Sequence, residues 1–166
     1  MSNNNKNNKQ KRRELALKVL KKHNIAIVAT ASRRGEPQAA VLYYAIDDDF
    51  TFNFITDNKS RKWKNLKENP HIAIVVDAGP GITTIQCGGH ANLIDYIKDT
   101  NRAEKIIRKV LANSKLYDDP LSLPVLISGS VEYGIFTVKP EWMILLNLET
   151  NKTEITYSDD YIKVLP

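Results

Sequence analysis

Phe52-Asn53-Phe54-Ile55-Thr56-Asp57-Asn58-Lys59-Ser60-Arg61-Lys62 reads as an alternating strand that runs through a short polar turn into a basic helix. A helix start leaves backbone N–H groups without intrahelical partners. Those groups and the helix dipole attract an anion, most usefully a phosphate. Thr56 and Ser60 add hydroxyl donors, and Arg61 and Lys62 add positive charge. The competing reading of the same residues is a capped, solvated helix with no ligand.

Outward from this corner, Gln38 to Ile46 forms a preceding strand rich in Val, Leu and Tyr, and Asp47-Asp48-Asp49 forms a hairpin turn. Phe50, Phe52 and Phe54 alternate with Thr51, Asn53 and Ile55, so the aromatic face packs on the core. Ile25 to Thr30 is the first strand. It ends at the polar Ser32-Arg33-Arg34-Gly35 turn, and Pro37 restarts the chain in extended form. Ser60 to Glu68 carries Trp63 and Leu66 inward and Arg61, Lys62, Lys64 and Lys67 outward, and Asn69-Pro70 stops it.

Ile72 to Val76 is apolar throughout, as for a strand covered on both sides. After an Asp77 to Gly81 loop, Ile82 to Asp95 is a long strand. Ile85, Cys87, Ala91 and Leu93 share one of its faces, and Thr84, Gln86 and His90 share the other. Gly88-Gly89 marks a bulge or a close backbone approach. Thr84 and Gln86, polar in an apolar sheet, need partners: a neighbouring strand, solvent or a polar heterocycle. Asn101 to Ala112 is a helix with Ala103, Ile106, Ile107, Val110 and Leu111 as its stripe. Asp118 to Pro124 is a loop, Val131 to Val138 and Trp142 to Leu148 are strands, and Lys152 to Tyr157 is a weak last strand.

The chain has 166 residues, a formal net charge of +5 and a hydrophobic content of 42%, enough for one domain with a core. Residues 1–10, an Asn/Lys tract, are expected to be a disordered tail, with 11–166 as the single domain and a helix over Glu14 to Lys22. Positive charge gathers at Lys6, Lys9, Lys11, Arg12, Arg13, Lys18, Lys21 and Lys22. A nucleic-acid-binding barrel would use it, but no aromatic residues interleave with these cations, and the solvated helix face is preferred. The N-terminus lacks the apolar stretch of a signal peptide, and no run suits a membrane span, so a cytoplasmic location is expected. Cys87 is the only cysteine, and His23, His71 and His90 have no metal-ligand spacing. No nucleophile-base set is readable, so no catalytic residue is assigned. An enzyme of this kind would rely on a cofactor.

Short antiparallel strands with a few helices indicate a mainly β protein with peripheral helices. The order of motifs resembles the FMN-binding split-barrel family, the superfamily of pyridoxamine phosphate oxidase. The stretches that carry it are Ile25 to Thr30, Gly35-Glu36-Pro37, Phe54-Ile55-Thr56, Ser60-Arg61-Lys62, Asn65-Leu66, Asn69-Pro70 and Ile85 to Ala91. The resemblance implies a split β-barrel, a homodimer and FMN at the interface. It places Thr56, Ser60, Arg61 and Lys62 at the phosphate, with Ile55 beside them in the strand. Ala39, Ala40, Val41 and Leu42 line the isoalloxazine ring, and Thr84 or Gln86 lies at the flavin edge. The oxidase's basic residues in the second strand fall at Ala40 and Ala45 here, and no Arg or His follows Trp142. The resemblance therefore points to a general-stress-type or other relative, not to a genuine pyridoxamine phosphate oxidase. The expected function is an FMN-dependent oxidoreductase. The alternatives are a non-catalytic flavin-binding or stress module and a split barrel that uses deazaflavin or haem. Tyr43, Tyr44 and Trp142 either border the ring or pack in the core.

Overall fold

The computed structural model describes residues 2–77, 83–114, 133–147 and 161–165. The elements are α1 (Ser2–Lys22), β1 (Ile25–Ala31), β2 (Pro37–Ile46), β3 (Phe52–Asp57), α2 (Arg61–Glu68), β4 (His71–Val76) and β5 (Thr83–Ile94). They continue with α3 (Thr100–Ala112), β6 (Tyr133–Val138), β7 (Trp142–Asn147) and β8 (Tyr161–Leu165). The loop expected at Asp118 to Pro124 and the strand expected at Lys152 to Tyr157 lie outside the described residues. The last strand observed, β8, was not foreseen.

All neighbouring strands are antiparallel. The sheet order is β4-β1-β2-β3-β6-β5-β7-β8, and a further β4–β5 pairing closes six of the strands, β1-β2-β3-β6-β5-β4, into a barrel. β7 and β8 extend the sheet beyond it. The mainly β, split-barrel expectation is therefore met.

The barrel interior is aromatic because the inward positions of β2, β3 and β6 carry Tyr44, Phe52, Phe54 and Phe136, all 0% exposed. Phe54 stacks on Phe136 with ring centroids 4.9 Å apart. β3 begins at Phe52 and not at Phe50. Phe50 occupies the preceding turn at φ 69°, still buried, with the Arg13 guanidinium 4.7 Å from its ring centre.

α1 buries Ala16 and Leu20 in the same core, and the Tyr44 hydroxyl donates to the Leu20 carbonyl at 2.7 Å. Burial raises the Tyr44 pKa and keeps this donor protonated. The helix runs back to Ser2, through the tract expected to be disordered. That tract holds neither Gly nor Pro, and extending an existing helix needs no new nucleus. α3 covers the outside of the barrel. Its stripe of Ala103, Ile106, Ile107 and Val110 packs on Ala45, Ile94 and Ile135.

The aspartates of the β2–β3 hairpin each take a lysine from a different element: Lys109 of α3 at Asp47, Lys21 of α1 at Asp48 (2.5 Å) and Lys139 at Asp49 (2.8 Å). The Lys139 hydrogen bond is the main reason the Asp49 carboxyl falls to about 2. Asp47 and Asp48 thus meet helices and Asp49 the β6–β7 connection, and the three are not arranged around a cation. Among the described residues no group of His, Cys, Asp and Glu could hold a metal ion.

β4 corrects an expectation. Ile72, Ile74 and Val76 are buried, but His71 and Ala73 are exposed and Val75 is half-buried. Its second side belongs to an outward face of β2, β1, β4, β5 and β7 that the other described residues leave uncovered. One row of that face runs Val41, Ile27, Val75, Gln86 and Ile144, and the next runs Ala39, Ala29, Ala73, Gly88 and Trp142.

Gly88 and Gly89 mark a close approach and not a bulge against β4, where the register runs unbroken from His71–His90 to Val76–Ile85. A Cβ at Gly88 would stand 2.9 Å from the Ile72 carbonyl oxygen and 2.9 Å from the Trp142 ring. The Gly88→Ala variant should therefore lose about 1–3 kcal/mol, the usual cost of overpacking. Urea unfolding checks this: the midpoint falls while the slope with denaturant stays that of the parent.

Candidate functional site

The strands of the barrel part company at one place. β2 pairs with β3 only over Tyr44–Phe54, Ala45–Asn53 and Ile46–Phe52. Continued in register, Leu42 would face Thr56. Instead β2 runs on beside β1 through Ala39 to Leu42, and Ile55 to Asp57 pair with β6 alone. The edges released at this fork belong to the residues predicted to line a flavin ring.

At the fork's base, β3 turns into α2. The Ser60 N–H donates to the Asp57 carbonyl at 3.1 Å, and the Lys59 N–H donates to the Asp57 carboxylate at 2.7 Å. Ser60 is the N-cap of α2, in extended conformation (φ −66°, ψ 152°), and its Oγ accepts from the Trp63 N–H at 3.4 Å. Thr56 Oγ1 lies 3.4 Å from Ser60 Oγ. The capping leaves the N–H groups of Arg61 and Lys62 without intrahelical partners. Arg61 is exposed. Lys62 is half-buried, and its pKa is lowered by burial against the opposing pull of Asp57. Thr56, Ser60, Arg61 and Lys62 thus form one corner, and Ile55 joins it through its backbone, because its side chain packs towards α3.

Two contacts hold α2 against the barrel. Asn65, one of the residues that carry the family resemblance, is buried and donates through Nδ2 to Thr30 Oγ1 at 3.1 Å. Trp63 lies over Gly134, where an added Cβ would stand 2.4 Å from the ring. Gly134 sits opposite Thr56 in the β3–β6 ladder, so the glycine that admits the tryptophan also fixes the level of the corner.

Of the residues expected to line a ring, Ala40 and Leu42 face the core and are partly buried, whereas Ala39 and Val41 face outward and are exposed. Ala45 is buried beneath α3. Tyr44 belongs to the core and Tyr43 packs with the α3 cluster, but Trp142 stays on the outward face, 39% exposed. Thr84 and Gln86 are not brought to the corner. They lie on the outward side of β5, and Gln86 is separated from Val41 by β1 and β4, roughly 14 Å along the sheet at ordinary strand spacing. The Thr84 hydroxyl donates to the Asp77 carbonyl at 2.8 Å. Cys87 points into the core, and burial pushes its thiol up to about 12, which disfavours the reactive thiolate.

The family model described as pyridoxamine 5'-phosphate oxidase matches residues 13–141. The chain belongs to that family. It is 39% identical over 123 residues to a pyridoxine/pyridoxamine 5'-phosphate oxidase of Salinibacter ruber, a match that covers 74% of this chain and 56% of the relative. A shorter match to the oxidase of Crocosphaera subtropica is 38% identical over 56 residues, 34% of this chain and 26% of that one. The chain thus spans about half the length, or less, of the curated relatives it matches.

Solved structures share the family's fold at low identity. A protein from Clostridium acetobutylicum related to general stress protein 26 superposes with a TM-score of 0.64 at 16% identity, over 89% of this chain and 96% of its own. A pyridoxamine 5'-phosphate oxidase-related, FMN-binding protein of Nostoc punctiforme gives 0.57 at 15%, over 90% and 85%. A haem-binding protein of Mycobacterium smegmatis gives 0.61 at 14%, over 84% and 55%.

Gly134→Ala tests how the corner is held. The new methyl displaces Trp63, so stability should fall by about 1–3 kcal/mol. In a Trp142→Phe background, the remaining Trp63 emission should shift to the red as the ring leaves the barrel. An unshifted spectrum would mean that α2 is held without this contact.

Proposed function

We propose that the protein binds FMN, with the phosphate at the Thr56–Ser60–Arg61–Lys62 corner and the ring along Ala39 to Leu42, and that it works as an oxidoreductase. The observation that carries this reading is the fork. One break in the β2–β3 ladder sets free backbone edges beside a capped, cationic helix start. The residues fit the group: hydroxyls at Thr56 and Ser60, two backbone donors and two cations suit a phosphate dianion. Released strand edges suit a ring with alternating donors and acceptors. Bound flavin would supply hydride and electron transfer. The chain's own part is to anchor the phosphate, hold the ring edge and shape the open side.

The homodimer belongs to the same proposal. Thr84 and Gln86 lie on the uncovered outward face, several strands from the fork, so they reach a ring held there most simply from a second copy. The exposed side chains of Ile25, Ile27 and Val41, at 43%, 37% and 64%, give that face an apolar character suited to a partner. The substrate we infer is not pyridoxamine phosphate, because Ala40 and Ala45 put no charge where the oxidase has basic residues, and Ala45 is sealed under α3.

The test is a visible absorption spectrum of the purified protein before and after FMN is added and the sample desalted. Flavin bands should survive desalting. Changing Arg61 and Lys62 together to Ala should weaken FMN binding at least about a hundredfold, or 2.7 kcal/mol. Unchanged affinity would remove the corner from the proposal. Bleaching of the bound flavin by NAD(P)H separates an oxidoreductase from a non-catalytic binding module. A Soret band in place of flavin bands would favour the haem reading that the mycobacterial neighbour suggests.

A further inference from the structure

α1 carries more than the chain's whole excess of positive charge. Its eight cations, from Lys6 to Lys22, share residues 1–22 with one acid, Glu14, for a net charge of +7. The chain's total is +5, so residues 23–166 are net −2. The core uses only part of this helix. Ala16 and Leu20 are buried, Arg13 lies over the Phe50 ring, and Lys21 pairs with Asp48. Five consecutive residues, Asn8 to Arg12, are all exposed, so this turn stands clear of the barrel, and Lys18 and Lys22 are exposed as well. Lys11, Lys18 and Lys22, at i, i+7 and i+11, form a stripe about 16 Å long on the side away from Ala16 and Leu20.

This arrangement works against the helix on its own. Lys9 with Arg12 and Arg13, and Lys18 with Lys21 and Lys22, place like charges at i, i+3 and i, i+4, which destabilises a helix. The first turn has no acidic residue to offset the helix dipole. The one acid, Glu14, accepts from the Gln10 side chain at 2.9 Å. A polyanion turns each of these costs into an attraction. Composition then selects the polyanion. Ser2 to Arg13 holds no apolar residue, so it has nothing to insert beneath lipid headgroups. It holds no aromatic residue on which the bases of a single strand could stack. That absence does not count against a duplex, which is gripped through its phosphates. A lone helix, about 10–12 Å across, enters the major groove of B-form DNA, about 12 Å wide, but not the deep, narrow groove of duplex RNA.

We propose that α1 is a docking surface for duplex DNA. Lys9, Lys11, Arg12, Lys18 and Lys22 meet phosphates, while Ala16, Leu20 and Arg13 hold the helix to the barrel and present those cations together. Phosphate contacts position a protein without reading sequence, so the partner is duplex DNA of any sequence. The surface uses no residue of the α2 corner or of the uncovered outward face. It therefore rests on neither the flavin nor the homodimer.

The probe is a fluorescein-labelled DNA duplex of mixed sequence, titrated with the full chain and followed by anisotropy at about 50 and 200 mM salt. Five phosphate contacts give an expected slope of log affinity against log salt of about −4.5, a loss of roughly five-hundredfold between the two conditions. Lys11→Gln, Lys18→Gln and Lys22→Gln together should bring the slope to about −2 and weaken binding at the lower salt at least about tenfold. Circular dichroism and FMN retention of this variant should stay those of the parent. The same loss of charge at Lys64, Lys67 and Lys105, exposed on α2 and α3, should leave DNA binding as it was. A duplex left unbound at the lower salt, equal losses in the two triple variants, or tighter binding of the single strand would overturn the proposal. So would capture by phosphatidylserine vesicles of a chain that leaves the duplex unbound, which would make α1 a membrane-surface helix.

Discussion

β5 is the strand on which this fold depends, because it must serve three partners with two edges. One edge pairs with β4 from Ile85 to His90. The other pairs with β7 from Thr83 to Gly88, and then with β6 from Ala91 to Ile94. The changeover falls at Gly88 and Gly89, where the chain between β6 and β7 presses so close that the Glu141 N–H donates to the Gly88 carbonyl at 2.9 Å. A Cβ at Gly89 would stand 3.1 Å from the Lys139 carbonyl oxygen. Side chains there would hold the two layers apart. The barrel closes because two residues without side chains let one strand belong both to the ring and to its extension.

That closure decides where the ring opens. Six strands with β5 and β4 sealed need relief elsewhere, and they find it between β2 and β3. The ladder ends at Tyr44–Phe54 because Tyr44 and Phe54 turn into the aromatic core while β2 follows β1 around the barrel. α2 follows β3 at this gap and is fixed to the barrel by polar contact at Thr30–Asn65 and by shape at Gly134–Trp63. The corner at Ser60 is therefore set by packing at several points and not by its own loop. A site placed in this way keeps its geometry before a ligand arrives, and little binding energy is lost in ordering it.

Much of this was legible in the sequence, for a physical reason: the signals were local. An alternating aromatic strand, a serine cap and a basic first turn put β3, the start of α2 and the corner within eleven consecutive residues. The α3 stripe was equally readable, since its spacing is that of a helix face. What escaped the reading depends on distance or on uncovered surface. The run from Ile72 to Val76 looks like a strand buried on both sides, because composition does not reveal whether the second cover comes from the same chain. His23 and Asp77, whose side chains stand 3.3 Å apart, lie far apart in sequence, and only the β1–β4 pairing brings the end of α1 beside the end of β4. No local pattern announces such a pair.

The uncovered face ties these points together. A soluble barrel normally pairs apolar inward positions with polar outward ones, and on the outside of β1, β2 and β4 this chain breaks the rule at Ile25, Ile27, Val41 and Val75. The departure cannot serve the core, which Ala26, Val28, Ile72 and Ile74 fill from the other side. No lysine or arginine is among the residues around His23 and Asp77 on this face. Each strand carries two apolar faces where stability asks for one. Among the described residues nothing covers that second face, which suits it to the partner surface proposed above.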